Sequence, residues 1–147
     1  MRRLALRSLL ILTLLPLSVL LTPLPAGADP GVTITVGASG TLLDPTLVRI
    51  PVQITCDPME VATNQGSAEL RQAVSKRLIA HGTGFEESQI VCDGVPHPNS
   101  YLIWADPSGP PFTKGNATVS ISAFLCDATF VCQSGSSGIQ TVQLRKP

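Results

Sequence analysis

The sequence is poor in the side chains that most often carry out chemistry. Its 147 residues include two His, one Trp and one Tyr. Neither His stands in a spacing such as H-x3-H, and no C-x2-C pair is present, so the common zinc motifs are missing. No G-x-S-x-G element marks a nucleophilic serine. We therefore predict no enzymatic activity, no cofactor and no metal, and interpret His81 and His97 as turn residues.

The N-terminal segment has the pattern of a signal peptide. Met1 to Arg7 is a short positive region, Ser8 to Leu21 is apolar, and the small tripeptide Ala26-Gly27-Ala28 follows. This order predicts cleavage after Ala28 and a secreted product. The alternative is an uncleaved membrane anchor, because the apolar run approaches the length of about 20 residues that a membrane span needs. Pro16 interrupts that run and favours the signal peptide.

Residues 29–147 are predicted to form one exported domain. They hold seven basic and ten acidic side chains, a net charge of −3. This balance argues against a nucleic-acid partner, and the length suits a single core. The final residues, Leu144 to Pro147, contain no hydrophobic tail. We expect a soluble monomer that is not stably inserted in a membrane after cleavage.

Four cysteines, Cys56, Cys92, Cys126 and Cys132, lie in the predicted mature chain. In an oxidising compartment an even number of Cys predicts two disulfides. A hairpin end closes the short separation of Cys126 and Cys132 easily, which would leave Cys56 to pair with Cys92. The rival pairing, Cys56 with Cys126 and Cys92 with Cys132, would imitate the inter-sheet bridge of antibody domains and stays open.

Alternating apolar and polar residues predict strands through most of this chain. The predicted strands are Val32–Val36, Val48–Cys56, Gln89–Cys92, Ser100–Trp104, Ala117–Leu125 and Ile139–Leu144. Pro51 removes one backbone donor and predicts an edge strand or a bulge. Short strands separated by turn residues predict an all-β antiparallel sandwich of about seven strands.

Residues 67–81 fit two different structures. Leu70, Ala73, Val74 and Leu78 share one face of a helix. The same segment also fits a strand, a turn at Ser75-Lys76, and a second strand from Arg77 to Gly82. We predict two strands, because a sandwich without this hairpin would leave one sheet too narrow to cover the other.

Several segments together resemble a family of small secreted actinobacterial proteins that have an immunoglobulin-like sandwich and no assigned function. The segments are Val48 to Cys56, Ile79 to Gly84, Val91-Cys92-Asp93-Gly94 and Gly115 to Ala123. The resemblance spans the predicted mature chain, and Val-Cys-Asp-Gly with the upstream strand Cys is its most specific part. It implies an immunoglobulin-like fold, a Cys56–Cys92 bridge and a Cys126–Cys132 bridge, and it supplies no catalytic residues.

A shorter segment, Cys126 to Gly135, is similar to the last disulfide loop of the enediyne apoproteins of the neocarzinostatin type. Those proteins are secreted immunoglobulin-like carriers of a small aromatic chromophore. This resemblance implies a small-molecule carrier as an alternative function.

Aspartates are frequent in the predicted turns. They are Asp44, Asp57, Asp93, Asp106 and Asp127. Loop oxygens hold Ca²⁺ in some sandwich domains. Each of these residues stands beside Pro, Gly or Cys, so turn formation explains them without an ion.

Aromatic side chains are the best candidates for recognition, since they offer a large contact area at low entropic cost. Trp104, Phe112 and Phe130 would form a patch at one end of the sandwich, and the alternative is that Trp104 and Phe124 fill the core. The sequence therefore predicts a secreted, non-enzymatic module that binds an extracellular protein, glycan or small molecule at the cell envelope or beyond it.

Overall fold

Residues 31–147 form eight strands and no helix. A computed structural model describes these residues, and the predicted signal peptide and its cleavage site lie outside them. None of the described segments is a helix long and apolar enough to cross a membrane. The strands are β1 (Val32–Val36), β2 (Ser39–Asp44), β3 (Leu47–Cys56), β4 (Thr63–Ala73), β5 (Ile79–Glu86), β6 (His97–Ala105), β7 (Gly115–Cys126) and β8 (Cys132–Arg145). The prediction of an all-β protein is confirmed.

The strands pair into one sheet that closes on itself. Their order is β1-β3-β2-β8-β7-β4-β5-β6, and β3 also pairs with β6. Since β3 has β2 on one side and β6 on the other, the strands β2 to β8 form a ring, and β1 lies beside the second half of β3. The predicted immunoglobulin-like antiparallel sandwich is therefore wrong. The fold is a closed seven-stranded β-barrel.

The β5–β6 and β2–β8 pairings are two of the links between neighbouring strands in the ring. β5 pairs antiparallel with β6, and β2 pairs parallel with β8 through Ser39–Thr41. Glycine permits the first pairing, because a Cβ at Gly84 would lie 2.6 Å from the Cα of Ile103. Alternation along a strand is the same in an open and a closed sheet. The sequence pattern therefore could not distinguish a barrel from a sandwich.

Pro51 lies where the chain beside β3 is interrupted. β1 and β2 run end to end along one side of β3, with a break at Gly37 and Ala38. The N–H of Gly37 donates to the C=O of Pro51 at 2.9 Å. The N–H and C=O of a strand residue face the same neighbour, so the donor that proline lacks would face this break. The predicted edge strand is wrong, because β3 is paired on both sides.

Residues 67–81, which fit either a helix or two strands in the sequence, form strands as predicted. β4 and β5 are joined by a turn at residues 74–78, and Leu78 in that turn is 53% exposed. The predicted strand Gln89–Cys92 is wrong, since only Cys92 pairs, in a single bridge with Met59. β2 was not predicted, because its glycine and serine resemble a turn.

Two disulfides join the chain. Cys56 is bonded to Cys92 and Cys126 to Cys132, so the first of the two predicted pairings is confirmed. The Cys56–Cys92 bridge lies at one end of the barrel, where β3 ends and the loop before β6 crosses. The Cys126–Cys132 bridge closes the turn between β7 and β8 at the same end, because Cys126 lies opposite Thr63 at the start of β4.

Phe112 closes the other end of the barrel, and Gln72 holds it there. Gln72 is only 3% exposed. Its Nε2 donates to the C=O of Thr113, and its Oε1 accepts from the N–H of Thr113, both at 2.8 Å. The side chain thus satisfies the loop backbone as a neighbouring strand would.

Gln72→Met should lower the free energy of unfolding by about 2 kcal/mol or more, because methionine keeps the length of the side chain but leaves both backbone groups of Thr113 unpaired. Urea denaturation of the two proteins measures the difference. Gln140→Met is the matched control, since Gln140 is exposed and makes one bond, from Nε2 to the C=O of Ser137. Equal losses in the two variants would contradict the role given to Gln72.

Candidate functional site: an aromatic pair on the outer face of the barrel

The structure does not bring the three predicted recognition residues together. Trp104 is 46% exposed near the end of β6, and Phe130 is 86% exposed in the turn between β7 and β8. The strand register places these two at opposite ends of the barrel. Phe112 is 2% exposed and belongs to the core. The alternative in which Trp104 and Phe124 fill the core is also wrong, because Phe124 is 45% exposed.

Trp104 instead has an aromatic neighbour on β5. Phe85 is 62% exposed, and its ring centroid lies 6.2 Å from that of Trp104, with 46° between the planes. In the register of β5 and β6, Thr83 lies opposite Trp104 and Phe85 opposite Leu102. The two rings are therefore diagonal neighbours on one face, within reach of each other. We call them the aromatic pair.

The sequence pattern did not point to Phe85. The second strand of the 67–81 region was predicted to end at Gly82, whereas β5 continues to Glu86. One signal was available: Gly82 and Gly84 alternate with the larger residues Thr83 and Phe85. Such alternation is typical of a strand whose inward face is approached closely by another backbone.

Charged and hydroxyl groups border the aromatic pair on one side. Arg49 lies opposite Leu102 in the pairing of β3 with β6. Its Nη2 donates to Glu87 Oε1 at 2.5 Å, and Ser100 Oγ donates to Glu87 Oε2 at 2.8 Å. The hydrogen bond from Arg49, and then that from Ser100, lowers the pKa of Glu87, so its carboxylate is ionised at neutral pH. This border offers both donors and acceptors to a ligand.

A second charged group lies on the other side, on β4 and β5. Glu69 is opposite Thr83, and its Oε1 accepts from Arg71 Nε at 2.6 Å. The same oxygen lies 3.2 Å from His81 Nε2. The hydrogen bond from Arg71 contributes most to lowering the pKa of Glu69. The aromatic pair thus lies between two sets of side chains whose charges are already balanced.

Four of the five turn aspartates, Asp44, Asp93, Asp106 and Asp127, accept hydrogen bonds from their own turns. In Asp44, Asp106 and Asp127, Oδ1 accepts from both the N–H and the hydroxyl of the Thr or Ser two residues later, at 2.7 to 2.8 Å. This is the turn role predicted from the sequence. Within residues 31–147, no three His, Cys, Asp or Glu side chains are grouped so that they could hold a metal ion.

Comparison with known proteins adds no relative. No family model, no curated protein and no solved structure matched this chain.

Proposed function

We propose that this protein is a secreted, non-enzymatic binding module, and that the aromatic pair binds a glycan outside the cell or in its envelope. The observation that carries the proposal is the pair itself, Phe85 and Trp104, which expose 62% and 46% of their surface beside each other on a barrel wall. The two disulfides are consistent with an oxidising compartment, where secreted proteins fold.

A sugar ring matches the chemistry of this surface. One face of a pyranose presents C–H groups that pack on an aromatic ring, while its edge carries hydroxyls that both donate and accept hydrogen bonds. Glu87 and Arg49 offer an acceptor and a donor at the border of the pair. Because these charges are already paired, a neutral ligand can exchange hydrogen bonds with them and leave no charge unsatisfied.

The structure also limits the conformational entropy that the protein loses when a ligand binds. Both aromatic side chains stand on strands that are paired on two sides, since β5 lies between β4 and β6, and β6 between β5 and β3. Aromatic side chains have few rotatable bonds, so little conformational entropy is lost when they contact a ligand. A rigid sheet face of this kind suits recognition of a repeated, stiff polymer.

Within residues 31–147, no contact favours the alternative function, a small-molecule carrier. Buried side chains fill the interior of the barrel, and the largest of them are Tyr101 and Phe112. Phe130, the aromatic residue of the loop that resembles the carrier proteins, is 86% exposed. We therefore propose the binding module alone.

Trp104→Ala and Phe85→Ala should each weaken glycan binding by about fivefold, because each removes a stacking surface worth about 1 kcal/mol. The measurement is affinity electrophoresis of the secreted protein in gels that contain cellulose, chitin, xylan or mannan derivatives, with purified peptidoglycan in a parallel pull-down. Calorimetry with the strongest ligand then gives the affinities.

Phe124→Ala is the matched control, because Phe124 is similarly exposed, at 45%, but stands on β7, away from the aromatic pair. It should bind as the native protein does. Binding to none of these polymers, or equal binding by the Trp104→Ala variant, would overturn the proposed function.

A further inference from the structure

The two ends of the barrel carry opposite charge. One end, which we call the acidic end, consists of residues 57–62, 87–96 and 127–131. These segments contain five carboxylates and no Lys or Arg: Asp57, Glu60, Glu87, Asp93 and Asp127. Of the five, Glu87 is neutralised by Arg49 from the barrel wall. The acidic end therefore has a clear excess of negative charge.

The other end, which we call the basic end, consists of residues 44–46, 74–78, 106–114 and 145–147. These segments contain two side-chain carboxylates, Asp44 and Asp106, and five cations: Lys76, Arg77, Lys114, Arg145 and Lys146. The register of β4 with β7 separates the two ends, because Thr63 pairs with Cys126 at one and Arg71 with Thr118 towards the other. The charge asymmetry thus runs along the barrel axis.

Each end also presents an exposed apolar hairpin turn. At the acidic end, Phe130 and Val131 between β7 and β8 are 86% and 65% exposed. At the basic end, Leu78 in the β4–β5 turn and Ile79 at the start of β5 are 53% and 64% exposed. Exposed large apolar residues at two hairpin turns, with opposite charges around them, are typical of surfaces that meet a partner.

The turn at the acidic end is held in one conformation. The Cys126–Cys132 disulfide closes it, and Asp127 Oδ1 accepts from the N–H groups of Thr129 at 2.8 Å and Val131 at 2.9 Å. Phe130 has a backbone φ of 63°, a value that residues other than glycine rarely adopt. A turn that is already ordered loses little entropy on binding.

A recess beside this turn has a shape and charge that suit a basic side chain. It measures about 270 Å³, and Glu60 and Asp127 line it together with Val61, Ala62 and two residues of the turn. The hydrogen bonds from Thr129 and Val131 lower the pKa of Asp127, so it stays charged. Lys and Arg combine an apolar stem with a cationic head, which matches a recess lined by both apolar side chains and carboxylates.

We propose that the protein associates head to tail: the acidic end of one copy docks on the basic end of a second copy, with Lys76 or Arg77 of the second copy in the recess and Leu78 and Ile79 against Phe130. The β4–β5 turn of a second copy supplies the cations, Lys76 and Arg77, that complement the carboxylates of the acidic end. The contact joins two different surfaces, so it leaves one free end on each side and builds chains rather than closed dimers.

The proposed contact does not use the rings of the aromatic pair, which lie on the outer face of β5 and β6. A chain of copies would present many glycan sites in a row, and linked sites bind a repeated polymer more tightly than one site does. The contact involves two small turns, so each link is weak on its own. Because it pairs opposite charges near solvent, salt should dissociate it.

Sedimentation velocity of the secreted protein tests the proposal at about 0.01 M and about 1 M ionic strength, where the Debye length is about 30 Å and about 3 Å. At low salt we expect the weight-average mass to rise with protein concentration past that of a dimer. At high salt we expect monomers only. A mass that stays monomeric at low salt overturns the proposal.

Two variants then identify the surfaces. The acidic-end variant carries Glu60→Gln and Phe130→Ser, and the basic-end variant carries Lys76→Ser and Arg77→Ser. Each alone should be monomeric at low salt, and an equimolar mixture should form dimers that do not grow, because each variant keeps one working end. Ile139→Ser is the control, since Ile139 is 78% exposed on the barrel wall, and it should associate as the native protein does.

The mixing experiment distinguishes head-to-tail association from association through other surfaces. If either variant alone still associates, the contact is not head to tail and the proposal is wrong. If the mixture stays monomeric although both variants have native circular dichroism and melting temperatures, the two ends do not bind each other and the proposal also fails. None of these results depends on glycan binding.

Discussion

Gly84→Ala should lower the free energy of unfolding by about 3 kcal/mol, at the upper end of the range for overpacked sites. A Cβ at this position would lie 2.6 Å from the carbonyl carbon of Leu102 and from the Cα of Ile103. These are backbone atoms of β6, so no side-chain rotation can relieve the contact. The two strands would have to separate at one of the pairings that close the barrel. Small domains have only about 5–15 kcal/mol of stability in total.

Gly109→Ala is the matched control for this prediction. The nearest atom to a Cβ at Gly109 is the carbonyl oxygen of Asp106, at an ordinary 3.5 Å, and the loop is exposed. We expect a change within about 0.5 kcal/mol in either direction. Denaturation by urea, followed by Trp104 fluorescence and circular dichroism, measures both variants. Equal stability of the two would mean that β5 and β6 are less tightly paired than the barrel requires.

Removal of the Cys56–Cys92 disulfide should cost about 4 kcal/mol. The bridge closes a loop with a sequence separation of 36 residues, and loop-closure entropy in the unfolded chain grows with loop length. Both half-cystines are buried, at 2% and 7% exposure. The bridge also holds neighbouring backbone bonds, from the N–H of Met59 to Cys92 and from the N–H of Gly94 to Cys56. The variant to measure is the double substitution Cys56→Ala with Cys92→Ala.

The second bridge supplies the comparison. Cys126 and Cys132 have a sequence separation of 6. The same relation between loop length and stability predicts a loss of about 2 kcal/mol in unfolding free energy for Cys126→Ala with Cys132→Ala. The β7–β8 turn would keep its hydrogen bonds to Asp127 in that variant. Thermal and urea unfolding of both double variants rank the two bridges. A larger loss from the short bridge would show that the long loop is already ordered in the unfolded protein, against our expectation.

Strand positions with a clean alternation could be predicted from the sequence because alternation is a local property. In β7, Ala117, Val119, Ile121, Ala123 and Leu125 were expected to share one face, and all five are buried. β3 was predicted to within one residue for the same reason. β2 was missed, since Ser39 and Gly40 have turn chemistry and become a strand only through their parallel pairing with β8.

The candidate site was predicted only in part. Trp104 was named from the sequence, but the prediction placed it in a patch with Phe112 and Phe130, whereas the structure buries Phe112 in the core and puts Phe130 at the opposite end of the barrel. Phe112 follows a proline-rich turn and looks exposed in the sequence, yet it lies in the core because Gln72 binds the next residue, 41 positions away. No local pattern contains a contact over that distance.

The sequence by itself determined that the described chain is all-β and that its strands alternate around an apolar interior, because both follow from the order of neighbouring residues. It also supported the disulfide pairing that the structure shows, through the short spacing of the last two cysteines. Tertiary structure alone decided that the sheet closes into a barrel and that Phe85 stands beside Trp104. Closure depends on the pairing of β3 with β6, and the aromatic pair on the register of β5 against β6. Both are set by contacts across the molecule, and Gly82 and Gly84 leave the space that β6 needs beside β5.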